Sequence, residues 1–459
     1  MTTTPVGYFR DIFGQFIGTH KTEKDSEAHK IFRAYPGHQT KTSRSGVHTP
    51  ETINPDEETV PGVNHPGSTG ANLGQGAPEV GELPDAPPRI NSLWIPTEAH
   101  EYAPTTGVKK FREAVANLYN VEYRQGKESK YTYENVCIVP GGRAGLSRVA
   151  AVIGDVYVGY QVPEYTTYSE VLSVFKRLVP IPTALKAENG YKLDIDQIAR
   201  DIQGQGLSVV VASNPRNPTG QAVMGEDLDK LVHLCKPHTT VILDEFYSWY
   251  EYGKSLSAAA YIDDVNEDPV VIIDGLTKNF RLPGWRTCWV IGPKNLISAL
   301  SQSGALQIAA LPLLEPSRAR QEKIALQKHF HMKRNHVLKR LAEMGLPVKT
   351  PPVATFYIWL DLSDLPNPLN NGLTFFEELL KEKTIVVPGI FFEINPAHRR
   401  DLFSSPCHHF VRISFGPPLA DLDKGLDAIE RVLERAREEG MITFGHSYFR
   451  TKGTSVVHH

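Results

Sequence analysis

The chain has 459 residues, 41% hydrophobic and 22% charged, with a formal net charge of −3. That length exceeds one ordinary core and asks for a large domain plus a smaller one; the near-neutral balance gives no broad basic face for a nucleic-acid backbone. Cys137, Cys235, Cys288 and Cys407 lie far apart with no CxxC pair, so neither a metal site nor a disulfide framework is expected. The start, MTTTPVGYFR, lacks a basic end followed by an apolar run, and no 18-residue apolar stretch follows; the expectation is a cytoplasmic chain with no membrane partner.

In chain order, Phe9, Ile12, Phe13, Phe16 and Ile17 recur at helical spacing and predict an apolar stripe on a helix over 8–18. Its polar face has no Lys/Arg cluster, so packing on this chain or a twin subunit is expected rather than on a membrane surface. Residues 34–70 are crowded with Pro, Gly, Ser, Thr and His and predict a linker or surface-hugging loop.

From about residue 100 short β-rich runs alternate with helical stretches, the pattern of a parallel sheet with crossover helices. Strands are predicted at 136–139, 156–160, 178–181, 208–212, 241–243, 270–273 and 289–291. Between them lie helices such as 194–203, capped by Asp194 with Ile195, Ile198 and Ile202 on one side, and 226–235 with Leu228, Leu231, Val232 and Cys235. Beyond about 315 come a long helix, strands near 347 and 356, a helix over 373–382, strands near 385 and 410 and a final helix from 420, which suggests a separate α+β domain. The expected division is an extension over 1–70, an arm or first part of the small domain over 71–100, a large α/β domain over 101–315 and a small domain over 316–459.

Four segments carry chemistry-bearing residues. VILDEFYSWY (241–250) ends a strand on Asp244, with Tyr247 three residues later; past the carboxyl end of a parallel strand both can reach one site, though an Asp there also serves as a plain helix cap. VVIIDGLTKNFRLPGWRTCW (270–289) delivers Lys278 into a Pro/Gly loop with Arg286 eight residues on. A lysine attacks a carbonyl only as the neutral amine, which burial beside other cations favours, and an arginine close behind can grip a phosphate; the alternative is a solvated surface charge. VASNPRNPTGQ (211–221) turns sharply at two Asn-Pro pairs and Gly220, aiming Asn217 back toward the strand ends or forming a plain turn. In VPGGRAGLSRVAAVIG (139–154) a Gly-rich turn opens a helix, whose free N–H groups can seat an anion. Later, FVRISFG (410–416) puts Arg412 in an apolar strand, where a charge needs a partner and a carboxylate is expected.

NPRNPTG, DEFY and TKNFRLPGWR, in this order and at these separations, resemble the class I/II aminotransferases of fold-type I, from about Gly74 to the final helix. The resemblance implies an α/β, PLP-dependent transferase fold: a large pyridoxal 5'-phosphate (PLP) domain with a mainly parallel sheet, plus a smaller α+β domain. It implies Lys278 as the Schiff-base lysine and Asp244 as the acid paired with the pyridine nitrogen, with Tyr247 and Asn217 bonding the ring oxygen. The phosphate then lies against Gly142, Arg143, Ala144 and Arg286. Tyr165, in PEYTTY, resembles the aromatic stacked on the ring, and Tyr102, in EYAPTTG, a tyrosine donated to the neighbouring subunit's phosphate in a homodimer with shared active sites. Arg412 resembles the fork on the substrate α-carboxylate, with Asn217 and Gly76 beside it. Two positions depart from the pattern: Gly275, where a serine is common three residues before the lysine, and Cys288, where glycine is usual two residues after Arg286. His329, His331, His408 and His409 match no ligand spacing.

The expected reaction is transamination between an L-amino acid and a 2-oxo acid, with Lys278, Asp244 and Tyr247 as the catalytic groups. The same constellation would serve a lyase or cyclase resembling aminocyclopropane-carboxylate synthases, a decarboxylase or an amino-acid oxidase. A dinucleotide oxidoreductase is disfavoured because no GxGxxG follows the first strand. A binding module without turnover is disfavoured by the intact lysine, aspartate and arginine, and no helix-turn-helix is appended to read DNA.

Overall fold

Runs of β-branched residues without a polar break, VVII at 270–273 and VVV at 209–211, need burial on both faces, which a parallel sheet covered by helices provides. The computed structural model describes residues 70–93, 103–174, 178–234, 238–253, 256–300, 310–395 and 405–438. The expected helix over 8–18, nearly all of the linker, Tyr102 and Cys235 lie outside the described residues.

The chain begins with β1 (Ala71–Asn72), α1 (Lys109–Tyr123), β2 (Val136–Val139), α2 (Gly142–Val152), β3 (Val156–Val162), α3 (Thr167–Val174) and β4 (Leu178–Ala184). It continues with α4 (Ile195–Gln205), β5 (Leu207–Ser213), α5 (Gly225–Leu234), β6 (Thr240–Asp244), β7 (Val270–Gly275), β8 (Cys288–Ile291) and α6 (Lys294–Ala299). Strands β2 to β8 form one sheet in the order β2-β8-β7-β6-β5-β3-β4. Its pairs are parallel except those that β8 makes with β2 and β7. All seven predicted strands form. Helix α4 starts as its sequence dictates: the Asp194 side chain accepts from the Gln197 N–H at 2.9 Å, and Ile195 and Ile198 face the core.

The rest of the chain is α7 (Pro316–Glu343), β9 (Tyr357–Asp361), α8 (Gly372–Lys381), β10 (Thr384–Ile385), β11 (Val387–Pro388), β12 (Phe410–Ser414) and α9 (Leu419–Glu438). An antiparallel sheet runs β11-β12-β9, and β1 pairs in parallel with β10, so the first described strand docks on elements from the far end of the chain. Leu422, Leu426, Ile429 and Leu433 form the buried stripe of α9. A strap after β1 is tied across the molecule. Arg281 Nη1 donates to the Glu79 and Gly81 carbonyls at 3.0 and 2.6 Å, Arg89 Nη2 to the Arg281 carbonyl at 2.9 Å, and the buried Lys333 to Glu79 Oε1 at 2.9 Å.

The strand expected near 347 is corrected: no strand forms over 346–356. Pro347, Pro351 and Pro352 have no N–H to give a ladder, and the Val353 and Ala354 N–H groups instead both reach the Gly220 carbonyl, at 3.0 and 2.9 Å. This segment therefore closes over the NPRNPTG turn. Gly220 has φ +71°, and a Cβ there would meet Pro352 Cβ at 2.4 Å. Gly220→Ala should destabilise the protein by about 1–3 kcal/mol through overpacking and the left-handed backbone; unchanged denaturant unfolding would contradict this contact.

Candidate active site

Four parallel strands, β3, β5, β6 and β7, end on one side of the sheet, where α/β folds bind ligands. Their last residues and the loops beyond carry Glu164 and Tyr165, Ser213 to Asn217, Asp244 to Tyr247, and Gly275 to Lys278. Register aligns them: Ser213 pairs with Asp244, and the ladder runs one step further as Asn214 N–H donates to the Asp244 carbonyl at 2.9 Å.

Lys278 is half-buried, and its amine donates to the Gly76 carbonyl, in the strap after β1. Burial, followed by the charges of Arg412 and Arg286, brings the amine down to about 8 against the opposing pull of Asp244. Asp244 is buried. Burial pushes its carboxyl up to about 7 and the Glu164 charge adds to the push, while the Phe246 N–H, Lys278 and Tyr168 pull it back. The Tyr168 hydroxyl lies 3.5 Å from Asp244 Oδ2, at the long limit of a hydrogen bond.

An anion seat lies beside these groups. Gly141 has φ +104°, and a Cβ there would fall 1.9 Å from Arg286 Nη2, so only glycine lets the guanidinium lie against this turn. Gly145 N–H is the first to bond back, to the Gly141 carbonyl, which leaves the N–H groups of Gly142, Arg143 and Ala144 pointing out of the helix start. The Arg143 side chain turns away, to Thr167 Oγ1 at 3.3 Å and Glu170 at 3.6 Å; what it offers an anion is its backbone. Arg286 is exposed, with φ +51°. An amine lowered toward neutrality, a buried acid and this anion seat make a donor set that fits PLP, with an aldehyde, a ring nitrogen and a phosphate to be held.

Across the pocket, Arg412 Nη1 donates to Asn217 Oδ1 at 2.9 Å and Nη2 to the Gly74 carbonyl at 2.7 Å. Its guanidinium stacks 4.2 Å from the Tyr357 ring centre and 4.9 Å from that of Phe392. The neutral oxygens of Asn217 and Gly74 and two ring faces are thus among the contacts of this guanidinium. Gly76 sits where a Cβ would meet the Tyr357 hydroxyl at 2.5 Å, with Arg412 Nη2 at 3.8 Å. Tyr247 shares a 2.9 Å hydrogen bond with Tyr357, and burial pushes its phenol well above the usual range, so it stays protonated.

The sequence-derived residues Gly76, Gly142, Arg143, Ala144, Tyr165, Asn217, Asp244, Tyr247, Lys278, Arg286 and Arg412 thus lie on the strand-end loops, the start of α2, the strap and β12; Tyr102 lies outside the described residues. Sequence reasoning missed Tyr357, Tyr168 and Phe392. Tyr168 carried a signal, one helical turn after Tyr165, and the two rings meet edge-on at 6.0 Å. Tyr357 and Phe392 carried none, because an aromatic in an apolar run is ordinarily core. The two departures prove to face each other. Gly275 and Cys288 are Cα partners across β7 and β8, and a Cβ on Gly275 would meet Cys288 Sγ at 2.5 Å. Cys288 Sγ is also 3.3 Å from Thr277 Oγ1, next to the lysine.

The family model for aminotransferases of class I and II matches residues 68–429. An aromatic-amino-acid aminotransferase of Thermococcus litoralis is 27% identical over 73% of this chain and 85% of that protein. An aspartate aminotransferase of Pyrococcus abyssi is 28% identical over 73% of this chain and 85% of its own length. The crystal structure of an aromatic aminotransferase from Pyrococcus horikoshii superposes with a TM-score of 0.66 at 23% identity, over 82% of this chain and 98% of that one. Because a Cβ at Gly275 would meet both the Sγ and the Cα of Cys288, each at 2.5 Å, Gly275→Ser should cost about 1–3 kcal/mol by overpacking, and adding Cys288→Gly, which removes the side chain but not the Cα, should recover part of it; equal losses in the single and double variants would sink the pairing.

Proposed function

The chain belongs to the class I and II aminotransferases, PLP enzymes that move an amino group between an amino acid and a 2-oxo acid, and from that membership we propose that Lys278 is the cofactor's attachment point and the proton carrier. When bound, PLP supplies an electron sink for the bond broken at the substrate Cα. The chain's own residues do the rest. Asp244, a buried acid pushed up to about 7, would face the ring nitrogen and balance its positive charge when protonated, with Tyr168 at the long limit of a hydrogen bond to Oδ2. The α2 N–H groups and Arg286 would hold the phosphate, and Tyr165 would supply the aromatic ring beside the cofactor.

Asn217 and the protonated phenol of Tyr247 bond the cofactor's ring oxygen, and Arg412 takes the substrate α-carboxylate as a two-pronged donor. The observation that carries this assignment is the Lys278 Nζ bond to the Gly76 carbonyl, in the same strap whose Gly74 carbonyl accepts from Arg412. An amine there is within reach of a carbon held by that arginine, so once displaced it can take the Cα proton and return it elsewhere.

We assign residues 101–315 to the PLP-binding domain and 71–100 with 316–459 to the small one, 1–70 being an extension; the β1–β10 pairing supports this split. We further propose a cytoplasmic homodimer in which Tyr102 reaches the partner's phosphate. Cys137, Cys288 and Cys407 are buried free thiols, and among the described residues no helix is long and apolar enough to cross a membrane.

Two measurements test these roles. Because only the neutral amine attacks an aldehyde, the rate at which cofactor-free protein takes up PLP should rise with pH through about 8 and level off above it; a rise continuing past pH 10 would mean an ordinary solvated lysine. Arg412→Lys should lower kcat/KM for the best donor in a panel of L-amino acids, assayed with 2-oxoglutarate, by roughly a hundredfold, because the two-pronged geometry is lost. An unchanged value would remove Arg412 from the carboxylate site.

A further inference from the structure

Beneath the pocket is an ion pair that none of the roles above uses. Glu164 and Arg216 are 0% and 2% exposed, and Arg216 Nη1 donates to Glu164 Oε2 and, at 3.3 Å, to Gln161 Oε1. They belong to two different strand-end loops: Glu164 follows β3 and Arg216 follows β5. Burying two charges is expensive, and a hydrophobic pair of similar volume would stabilise a core at least as well, so the pair's energy alone does not explain it. Its geometry does.

Glu164 Oε1 accepts from the Ser213 hydroxyl and, at 3.0 Å, from the Tyr165 N–H. Ser213 Oγ in turn accepts from the Asn217 N–H at 3.3 Å, and Asn217 Oδ1 accepts from Arg412. A second line leaves the same residue through its backbone: the Glu164 N–H donates to the Phe392 carbonyl at 3.2 Å, and the Phe392 ring lies under the Arg412 guanidinium. Two supports of Arg412, the amide oxygen on one side and a ring on the other, are thus anchored on one glutamate. The next residue, Tyr165, is the ring assigned to the cofactor plane.

We propose that Glu164, neutralised by Arg216, is a positioning residue for substrate: it fixes the orientation of Arg412 through Ser213 and Asn217 and through Phe392, and so sets the affinity for the amino acid's carboxylate. The inference rests on the proposed role of Arg412. Arg216 is needed because a lone carboxylate at this depth would be forced to take up a proton or draw in water, and either loosens Ser213; burial does raise the Glu164 carboxyl, while Arg216 pulls it down. Removing Arg216 alone should therefore do more harm than removing both charges.

The test uses PLP-loaded full-length protein and single-turnover half-reactions with the fastest donor from the amino-acid panel, following the loss of the yellow cofactor absorbance. Arg216→Met should raise the half-saturating donor concentration ~10-fold or more with a limiting rate within ~3-fold of the parent, a binding effect rather than a chemical one. Arg216→Lys should fall between the parent and Arg216→Met. Glu164→Gln/Arg216→Met keeps an acceptor for Ser213 and Tyr165 and should return half-saturation to within ~3-fold of the parent. Ser213→Ala leaves the ion pair intact and should raise half-saturation ~3-fold or more, which decides the matter if Arg216→Met does not fold. Unchanged half-saturation in Ser213→Ala, or an Arg216→Met defect that the double variant fails to relieve, overturns the proposal. A parent that loads PLP but in which Arg412→Lys has no effect would instead overturn the assignment of Arg412, and this inference with it.

Discussion

An amine bonds to a carbonyl only when it is not protonated, and a lysine in water is protonated at any physiological pH. The fold meets this constraint by ending β7 just short of Lys278, so that its amine reaches the Gly76 carbonyl within range of the Arg412 and Arg286 charges. Burial and two like charges bring it near neutrality, and Asp244 limits the effect so that the amine stays within reach of both protonation states. Strand order supplies the rest. With β6 beside β7 and β5 beside β6, the acid and the Asn217 loop arrive next to the lysine without a long excursion of chain.

Lys278 feels the charges of two other cations, Arg412 and Arg286, and of one acid, Asp244. Such an imbalance suits a ligand set with a phosphate at one end and a carboxylate at the other, and it separates the two. Arg286 belongs with the glycine turn opening α2, Arg412 with the glycine strap after β1. In both places glycine is required because a side-chain carbon would collide with the site, at Gly141 with the guanidinium and at Gly76 with the Tyr357 hydroxyl. The strap itself is held by buried charges, Lys333 on Glu79 and Arg281 on two carbonyls, which links the small sheet to the lysine loop.

Much of this was legible in the residues. Alternation of β-branched runs with apolar helical stripes points to the strands of the large sheet, and the motifs at their carboxyl ends point to Lys278, Asp244 and Asn217, because a parallel sheet puts such ends together; Arg412 shows instead as a lone charge inside the apolar strand β12 of the antiparallel sheet. The strand expected near 347 does not form because Pro347, Pro351 and Pro352 decide the backbone there. What the sequence hid was tertiary. Nothing local says that Tyr357 lies under Arg412, that Glu164 meets Arg216 across two loops, or that Gly275 and Cys288 share a single space; each becomes visible only when strands far apart in the chain are laid side by side.

The central claim is that one particular amine carries the cofactor. Borohydride reduction of the PLP-loaded protein, followed by proteolysis and mass mapping, tests it most directly. The account predicts one phosphopyridoxyl group per chain, on the peptide containing Lys278, and none when Lys278 is replaced by Ala. Incorporation at a different lysine, or its persistence in that variant, would contradict it.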